Sequence, residues 1–263
     1  MNYHEKSKKK RADQILVELG LVETRSRAAA LIMTSQVYVR KNELEQWEKV
    51  EKAGSLYRLD LVDFKVNDNS SKDVSRGALK LRGALNSWHQ INLSNSICLD
   101  VGASTGGFTQ VCLEKGASFV LALDVGTHQL HEKMRANDKV FSFEKQHILK
   151  TDLDLLKEKK LPIEYDFICS DLSFISIKKV ISHCYSWLKK DAHWVFLLKP
   201  QFELSADKLH KGIVRDPVYT EEAIKSVKEV VESILDLKWM DIQPSDIKGT
   251  KGNQEYLVWI KRV

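Results

Sequence analysis

The residue types and spacings richest in chemistry lie in residues 97–109, ICLDVGASTGGFT. Ile97, Cys98, Leu99 and Val101 form a short apolar run around Asp100, the pattern of a buried parallel strand. Gly102, Gly106 and Gly107 follow at once, and residues 108–114 read as the first turns of a helix. A strand, a glycine turn and a helix amino terminus make a site for a nucleotide-like ligand. Glycines let the backbone approach the ligand, and the helix end offers free N–H groups. A dinucleotide fold carries G-x-G-x-x-G, with its helix dipole on a pyrophosphate. Here the spacing is Asp100-x-Gly102-x-x-x-Gly106-Gly107. A carboxylate at the strand end repels phosphate and suits a cationic amine or sulfonium. The next strand ends in Asp124, which can accept both hydroxyls of a ribose. Together these point to S-adenosylmethionine (SAM), with Ser104 and Phe108 completing the loop around it. A dinucleotide and a purely structural glycine turn are the alternatives.

The methyl acceptor is sought at the carboxyl ends of the strands, where open α/β sheets bind their ligands. Asp171 in CSDLSF, Lys199 in FLLKPQFE and Glu255 in GNQEYL occupy such places, and Lys80 comes from the helix before the first strand. Enzymes that methylate an exocyclic base amine commonly carry Asn/Asp-Pro-Pro-aromatic after the fourth strand. Asp171-Leu172-Ser173-Phe174 stands there instead and argues against amine chemistry. Two amines and two acids suit a ribose 2′-hydroxyl, a poor nucleophile until its proton is drawn off. A lysine takes that proton only when neutral; burial and a second cation favour the neutral form, while carboxylates oppose it and fix orientation. Lys199 is then the base or hydroxyl-orienting group and Lys80 the second cation, with Asp171 and Glu255 positioning them. No metal is called for. Singly, each residue also reads as ordinary: a snorkelling lysine at 199, a turn or cap residue at 171, surface charges at 80 and 255. Only their meeting around one pocket separates the two readings.

A sheet must hold these residues. The chain has 263 residues, 43% hydrophobic and 29% charged, enough for one large and one small domain. Beyond residue 97, helical runs alternate with strand-like runs at 119–123, 140–143, 167–169, 194–198, 239–242 and 256–260. The clearest helix opens at Thr220 and turns Ile224, Val227, Val231 and Ile234 inward. Such alternation specifies an α/β fold with a doubly wound, mostly parallel sheet. Only a short polar stretch separates the last two strands, so they form a hairpin and the last strand runs antiparallel. That arrangement resembles the Rossmann-like SAM-dependent methyltransferases. Just before the sheet, Ser75 caps a helix reaching about residue 89, with Leu81, Leu85 and Trp88 as its apolar stripe.

Residues 1–65 read as a separate small domain, with a lysine-rich arm over residues 1–10. Ile15, Leu16 and Leu19 share one face of a helix that stops at Gly20. Thr24 caps a second helix, residues 25–34, with Ala28, Leu31 and Ile32 inward. Val37 and Val39 alternate like a strand, and a second strand-like run covers residues 56–62. Residues 66–74, VNDNSSKDV, read as a linker, and residues 75–263 as the large domain. The net charge is +5. Arg11, Arg25, Arg27, Arg40 and Lys41, joined by Arg76 beyond the linker, read as a phosphate-contacting patch or as a solvated face. Arg25 and Arg27 oppose the dipole of the helix they open, so they bring it no stability. The basic amino terminus is followed by no apolar stretch of a signal peptide, and no apolar run is long enough to span a bilayer. The four cysteines sit inside apolar runs without C-x-x-C spacing, as small buried residues of a cytoplasmic protein do.

The stretch RADQILVELGLVETRSRAAALIMTSQVYV resembles the S4 RNA-binding module. It differs in having Thr34-Ser35 where glycine usually precedes the valine strand, and Arg40-Lys41-Asn42 in place of an asparagine-glycine turn. Residues 75–263 resemble the FtsJ-type ribose methyltransferases. Through SRGALKL, LDVGASTGGFT, SDLSFIS, LLKPQFE, KGIVRD and GNQEYL, the whole chain is similar to the TlyA, or hemolysin A, family. The resemblance implies SAM-dependent 2′-O-methylation of cytidine in ribosomal RNA of one or both subunits, with the S4 module docking on structured RNA. It carries a catalytic tetrad onto Lys80, Asp171, Lys199 and Glu255. It carries the cofactor loop onto Asp100, Gly102, Gly106 and Gly107, with Asp124 at the ribose and Asp152 near the adenine. The Arg-x-Trp linker element of some members is missing here. Two other classes of activity compete: membrane lysis, after the family's older name, and non-catalytic ribosome binding. The first wants a spanning or sustained amphipathic segment that the sequence lacks; all four tetrad candidates argue against the second.

Overall fold

The structure, a computed structural model, describes residues 9–22, 24–42, 45–66, 73–249 and 252–263. The chain divides into two compact units, Met1–Lys72 and Asp73–Val263.

In the first unit, helices Ala12–Glu18 and Arg25–Met33 pack beside a three-stranded antiparallel sheet. The sheet order is Glu48–Lys49, Val37–Arg40, Asp63–Val66. Ala12, Leu16, Ala28, Leu31, Ile32, Val37, Val39 and Val50 form its core. Thr24 Oγ1 accepts from Arg27 N at 3.1 Å and so caps the second helix. Three readings of the sequence are corrected here. Leu19 is 42% exposed, because the helix has ended and the chain is already turning into Gly20 at φ +68°. The run over residues 56–62 is not one strand: Leu56–Tyr57 pairs with Lys10–Arg11, a 3-10 turn follows, and the strand proper is Asp63–Val66. Val66 therefore pairs with Val37 rather than opening the linker. The rest of the supposed linker up to residue 72, and the basic arm through residue 8, lie outside the described residues.

Ser35 sits at φ +55°, the left-handed conformation that glycine adopts without steric cost. A side chain there costs about 1–2 kcal/mol. Ser35→Gly is therefore expected to stabilise the first unit by up to about 1 kcal/mol, the remainder going to glycine's extra unfolded-state freedom. Thermal melts of the full chain check this, and a lowered midpoint would contradict it.

The second unit holds seven strands: β1 Ile97–Val101, β2 Phe119–Leu123, β3 Val140–Phe143, β4 Tyr165–Ser170, β5 Leu188–Leu198, β6 Leu237–Pro244 and β7 Tyr256–Arg262. Their order is β6-β7-β5-β4-β1-β2-β3. The five strands β1 to β5 are parallel, and β7 runs antiparallel between β5 and β6. Helices α1 Gly77–Ser87 and α2 Gly107–Glu114 cover one face, burying Leu81, Leu85, Phe108 and Val111. Helices α3 Leu153–Glu158, α4 Ile177–Cys184 and α5 Pro217–Ser233 cover the other, burying Leu156, Val180, Ile181, Val227 and Val231. The chain order reverses between β1 and β4, and a crevice opens at their carboxyl ends.

Two helix starts differ from expectation. Ser75 gives α1 no side-chain cap; its carbonyl accepts from Ala78 N at 3.2 Å. Helix α5 begins three residues before Thr220, because Asp216 accepts from Val218 N at 2.9 Å and Pro217 fills the first helical position. Ile224 and Ile234 are only partly buried, while Val227 and Val231 are fully so. All four cysteines are free and buried.

Candidate active site

A cavity of about 550 Å³ opens at the carboxyl ends of β1, β4 and β5. Its wall includes Lys80 from α1, Asp171 beyond β4, Lys199 beyond β5 and Glu255 just before β7. Lys80 Nζ donates to Glu255 Oε2 at 2.6 Å. Lys199 Nζ lies 2.6 Å from Asp171 Oδ1 and donates to Ser173 Oγ at 3.1 Å. The Lys80, Glu255 and Lys199 side chains are 10%, 4% and 9% exposed, and Asp171 is 26% exposed. These are buried pairs, whose desolvation is expensive and repaid only by close geometry. A charged quartet kept in a cavity wall reads as machinery more than as stabilisation.

The glycine loop completes the wall with Gly102, Ser104, Gly107 and Phe108. Gly102 sits at φ +84°, and a Cβ there would lie 2.7 Å from the Asp171 carbonyl oxygen. The glycine loop and the carboxylate strand end are thus pressed together. A Cβ on Gly107 would collide with Ser75 Oγ and lie 2.8 Å from Ala78 N. Absence of a side chain there lets the amino-terminal ends of α1 and α2 meet, which brings Lys80 to the loop.

Four of the proposed cofactor residues are placed differently from the wall residues. Gly106, at φ +91°, packs on Leu130 and Met134 behind the loop. Asp100 does not face the cavity: it is fully buried, and Oδ2 accepts from Thr109 N at 2.8 Å and Thr109 Oγ1 at 2.6 Å. It fastens the first turn of α2 to the end of β1. Asp124 is 9% exposed and also holds the loop, accepting from Ser104 N at 2.8 Å and Gly126 N at 2.7 Å. Asp152 is exposed and caps α3 by accepting from Leu155 N at 2.8 Å.

Burial pushes the Asp100 carboxyl up to about 7, against the pull of its two Thr109 hydrogen bonds, with the nearby Asp171 charge adding to the rise. An acid whose folded value exceeds its unfolded one takes up a proton on folding. Its stabilising contribution is full below about pH 4 and is lost as the pH rises through about 7. Across that range the thermal midpoint of the wild type is expected to fall relative to that of Asp100→Asn. Melts of both proteins at matched pH test this, and parallel curves would refute it.

The basic residues separate into groups. In the first unit Arg11 and Arg25 converge on the buried Asp13, at 3.0 Å each, and hold its carboxyl down to about 2. Arg40 pairs with Asp63 at 3.1 Å and lies over the Trp47 ring. Arg27 and Lys41 are exposed. In the second unit Arg76 is exposed and belongs to the cavity wall.

Several wall residues escaped the sequence reading. Ser173 joins Lys199. Asn253 is 4% exposed; its Oδ1 accepts from Val214 N at 2.9 Å and its Nδ2 donates to the Gly212 carbonyl at 2.9 Å. It ties the KGIVRD segment to the Glu255 strand. Phe174 is 91% exposed at φ +63°, its ring 5.3 Å from that of Phe202. The motifs DLSF and GNQE contained these residues, but only their charged members stood out by type.

Residues 74–262 match the FtsJ-like methyltransferase family. Hemolysin A of Brachyspira hyodysenteriae is 36% identical over 250 residues, 94% of this chain and 98% of that one. The 16S/23S rRNA (cytidine-2′-O)-methyltransferase TlyA of Mycobacterium tuberculosis is 34% identical over 258 residues, 97% of this chain and 91% of that one. A solved structure from Streptococcus thermophilus is 32% identical and superposes with a TM-score of 0.71 over 97% of this chain and 89% of that one. The chain belongs to the FtsJ-like methyltransferases, among the TlyA or hemolysin A proteins.

Proposed function

We propose that this protein is an enzyme that moves a methyl group from SAM to the 2′-hydroxyl of cytidine in ribosomal RNA. The observation that carries the reading is the pair of buried lysine–carboxylate contacts in one wall with the glycine loop. The loop's donor set fits SAM: main chain at Gly102, Ser104 and Gly107 lines the cavity, and the α2 amino terminus would suit its carboxylate. Asp124, which holds the loop through Ser104 N and Gly126 N, would take the ribose hydroxyls. When bound, SAM supplies an electrophilic methyl on a sulfonium.

Lys199 Nζ has three donor directions, two of them taken by Asp171 and Ser173. The third orients the 2′-oxygen. The hydroxyl proton is received at Lys199 Nζ when that third position carries the lone pair of the neutral amine, leaving an ammonium held by Asp171 Oδ1 and Ser173 Oγ. Lys80, held by Glu255, places a second positive charge beside the developing alkoxide. Phe174 offers an exposed ring on which the target base can stack. The first unit is an S4-type module that captures structured RNA, with Arg11, Arg25, Arg27, Arg40 and Lys41 toward phosphates. Its place of action is then the cytoplasm, where ribosomes are found. No helix among the described residues is long and apolar enough to cross a membrane.

The test uses purified chain, labelled SAM and ribosomal subunits from cells lacking the gene. Digestion to nucleosides should yield labelled 2′-O-methylcytidine. Label on a base, or none on RNA, overturns the reading.

A further inference from the structure

We infer that Gln201 reads the Watson–Crick edge of the target nucleotide and is a source of selectivity for cytidine over uridine. The inference rests on the methyl-transfer reading above.

Four buried side-chain polar atoms lack a hydrogen-bond partner among the described residues: Gln36 Oε1, Asp100 Oδ1, Ser142 Oγ and Gln201 Oε1. Of these residues, only Gln201 belongs to the cavity wall. A buried acceptor left unpaired is costly and is rare in folded proteins. Several other polar side chains of the wall are paired: Lys199 with Asp171 and Ser173, Lys80 with Glu255, Asn253 with Gly212 and Val214. A buried acceptor left unpaired in a ligand cavity marks a place where a ligand's donor is missing.

Its backbone is held firmly. Gln201 lies in the one-turn helix Pro200–Glu203, two residues beyond Lys199. Phe202 N donates to the Lys199 carbonyl at 2.9 Å. Glu203 accepts from Ser176 Oγ at 2.6 Å and from Ile177 N at 2.8 Å, pinning the turn to the start of α4. The amide is therefore carried on the same rigid turn as the lysine that meets the ribose. A base joined to that ribose enters the space that Gln201 shares with Phe174 and Phe202.

A primary amide presents an acceptor and a donor side by side. Cytosine presents the complement, an N4–H donor next to the N3 acceptor. Oε1 accepts from N4 while Nε2 donates to N3. Uracil offers O4 and N3–H in those places, so it leaves both amide groups mismatched unless the amide turns over. A site built to hydrogen-bond one substrate rejects an analogue that lacks the partner far more strongly than an apolar site does.

The experiment uses the full chain and ribosomal subunits carrying either the natural cytidine or a uridine at the mapped position. The wild type is expected to prefer cytidine at least tenfold in kcat/KM. Gln201→Leu, similar in size but without polar atoms, is expected to lose at least tenfold on cytidine and to bring the two substrates within about threefold. Gln201→Glu keeps the acceptor for N4 and is expected to retain more of the preference than Gln201→Leu. Calorimetric binding of S-adenosylhomocysteine and the thermal midpoint show that each variant is folded. If Gln201→Leu binds that ligand normally and still discriminates as the wild type does, the inference is overturned while the methyl-transfer reading stands. If the wild type labels no ribose, both fall together.

Discussion

Lys199→Ala is expected to reduce RNA methyl transfer by about 10²–10⁴-fold, the usual worth of a positioned proton acceptor. Its amine lies 2.6 Å from Asp171 and 3.1 Å from Ser173, and no other amine in the wall shares those partners. SAM affinity should change by less than about threefold, since the main chain of the glycine loop is untouched; this is the pattern of an interaction made chiefly in the transition state. Lys199→Arg sharpens the test. Arginine keeps the charge but does not release a proton, and its planar fork does not reproduce the ammonium geometry. It should be nearly as inactive as alanine. If arginine restores most of the rate, the side chain serves as a fixed positive charge and the proton goes elsewhere. Single-turnover labelling with calorimetry of SAM separates these outcomes.

Gly102→Ala should damage both halves of the site at once. The residue needs φ +84°, and an added methyl would sit 2.7 Å from the Asp171 carbonyl oxygen and 2.9 Å from Leu172 Cδ2. The carbonyl is backbone at the end of a central strand and yields only if β1 and β4 spread. We expect a loss of about 2–4 kcal/mol in stability from strain and overpacking combined. SAM affinity should fall at least tenfold. Because displacements near 1 Å cost about 10²-fold in a positioned reaction, transfer at saturating SAM should fall by that order as well. A variant with normal SAM binding and normal turnover would show that the loop and the Asp171 turn move independently.

The parallel strands were legible because each is a short apolar run closed by a polar residue or glycine. The exposed and partly exposed ends were not: β5 begins at Leu188, six residues before its apolar run, through Lys189, Lys190 and Asp191. Local pattern also misread residues 56–62, whose leucines at 56 and 61 are 58% and 53% exposed. Among site residues, the four charged side chains could be named from motifs, but nothing periodic links positions as distant as Lys80 and Glu255. Asp100 shows the opposite difficulty. A carboxylate at a strand end looks the same in sequence whether it meets a ligand or holds the next helix, and here it does the latter. Gln201 carried no charge to draw notice, and its importance lies in a partner it does not have.

Glu255 stands at the threshold of β7, the strand that slots between β5 and β6. A polypeptide still emerging from the ribosome therefore has Lys80 without its carboxylate and a sheet with two unzipped edges. A chain cut short before residue 255 lacks both the carboxylate that Lys80 meets and the strand that joins β5 to β6, and is expected to lose methyl transfer with its fold.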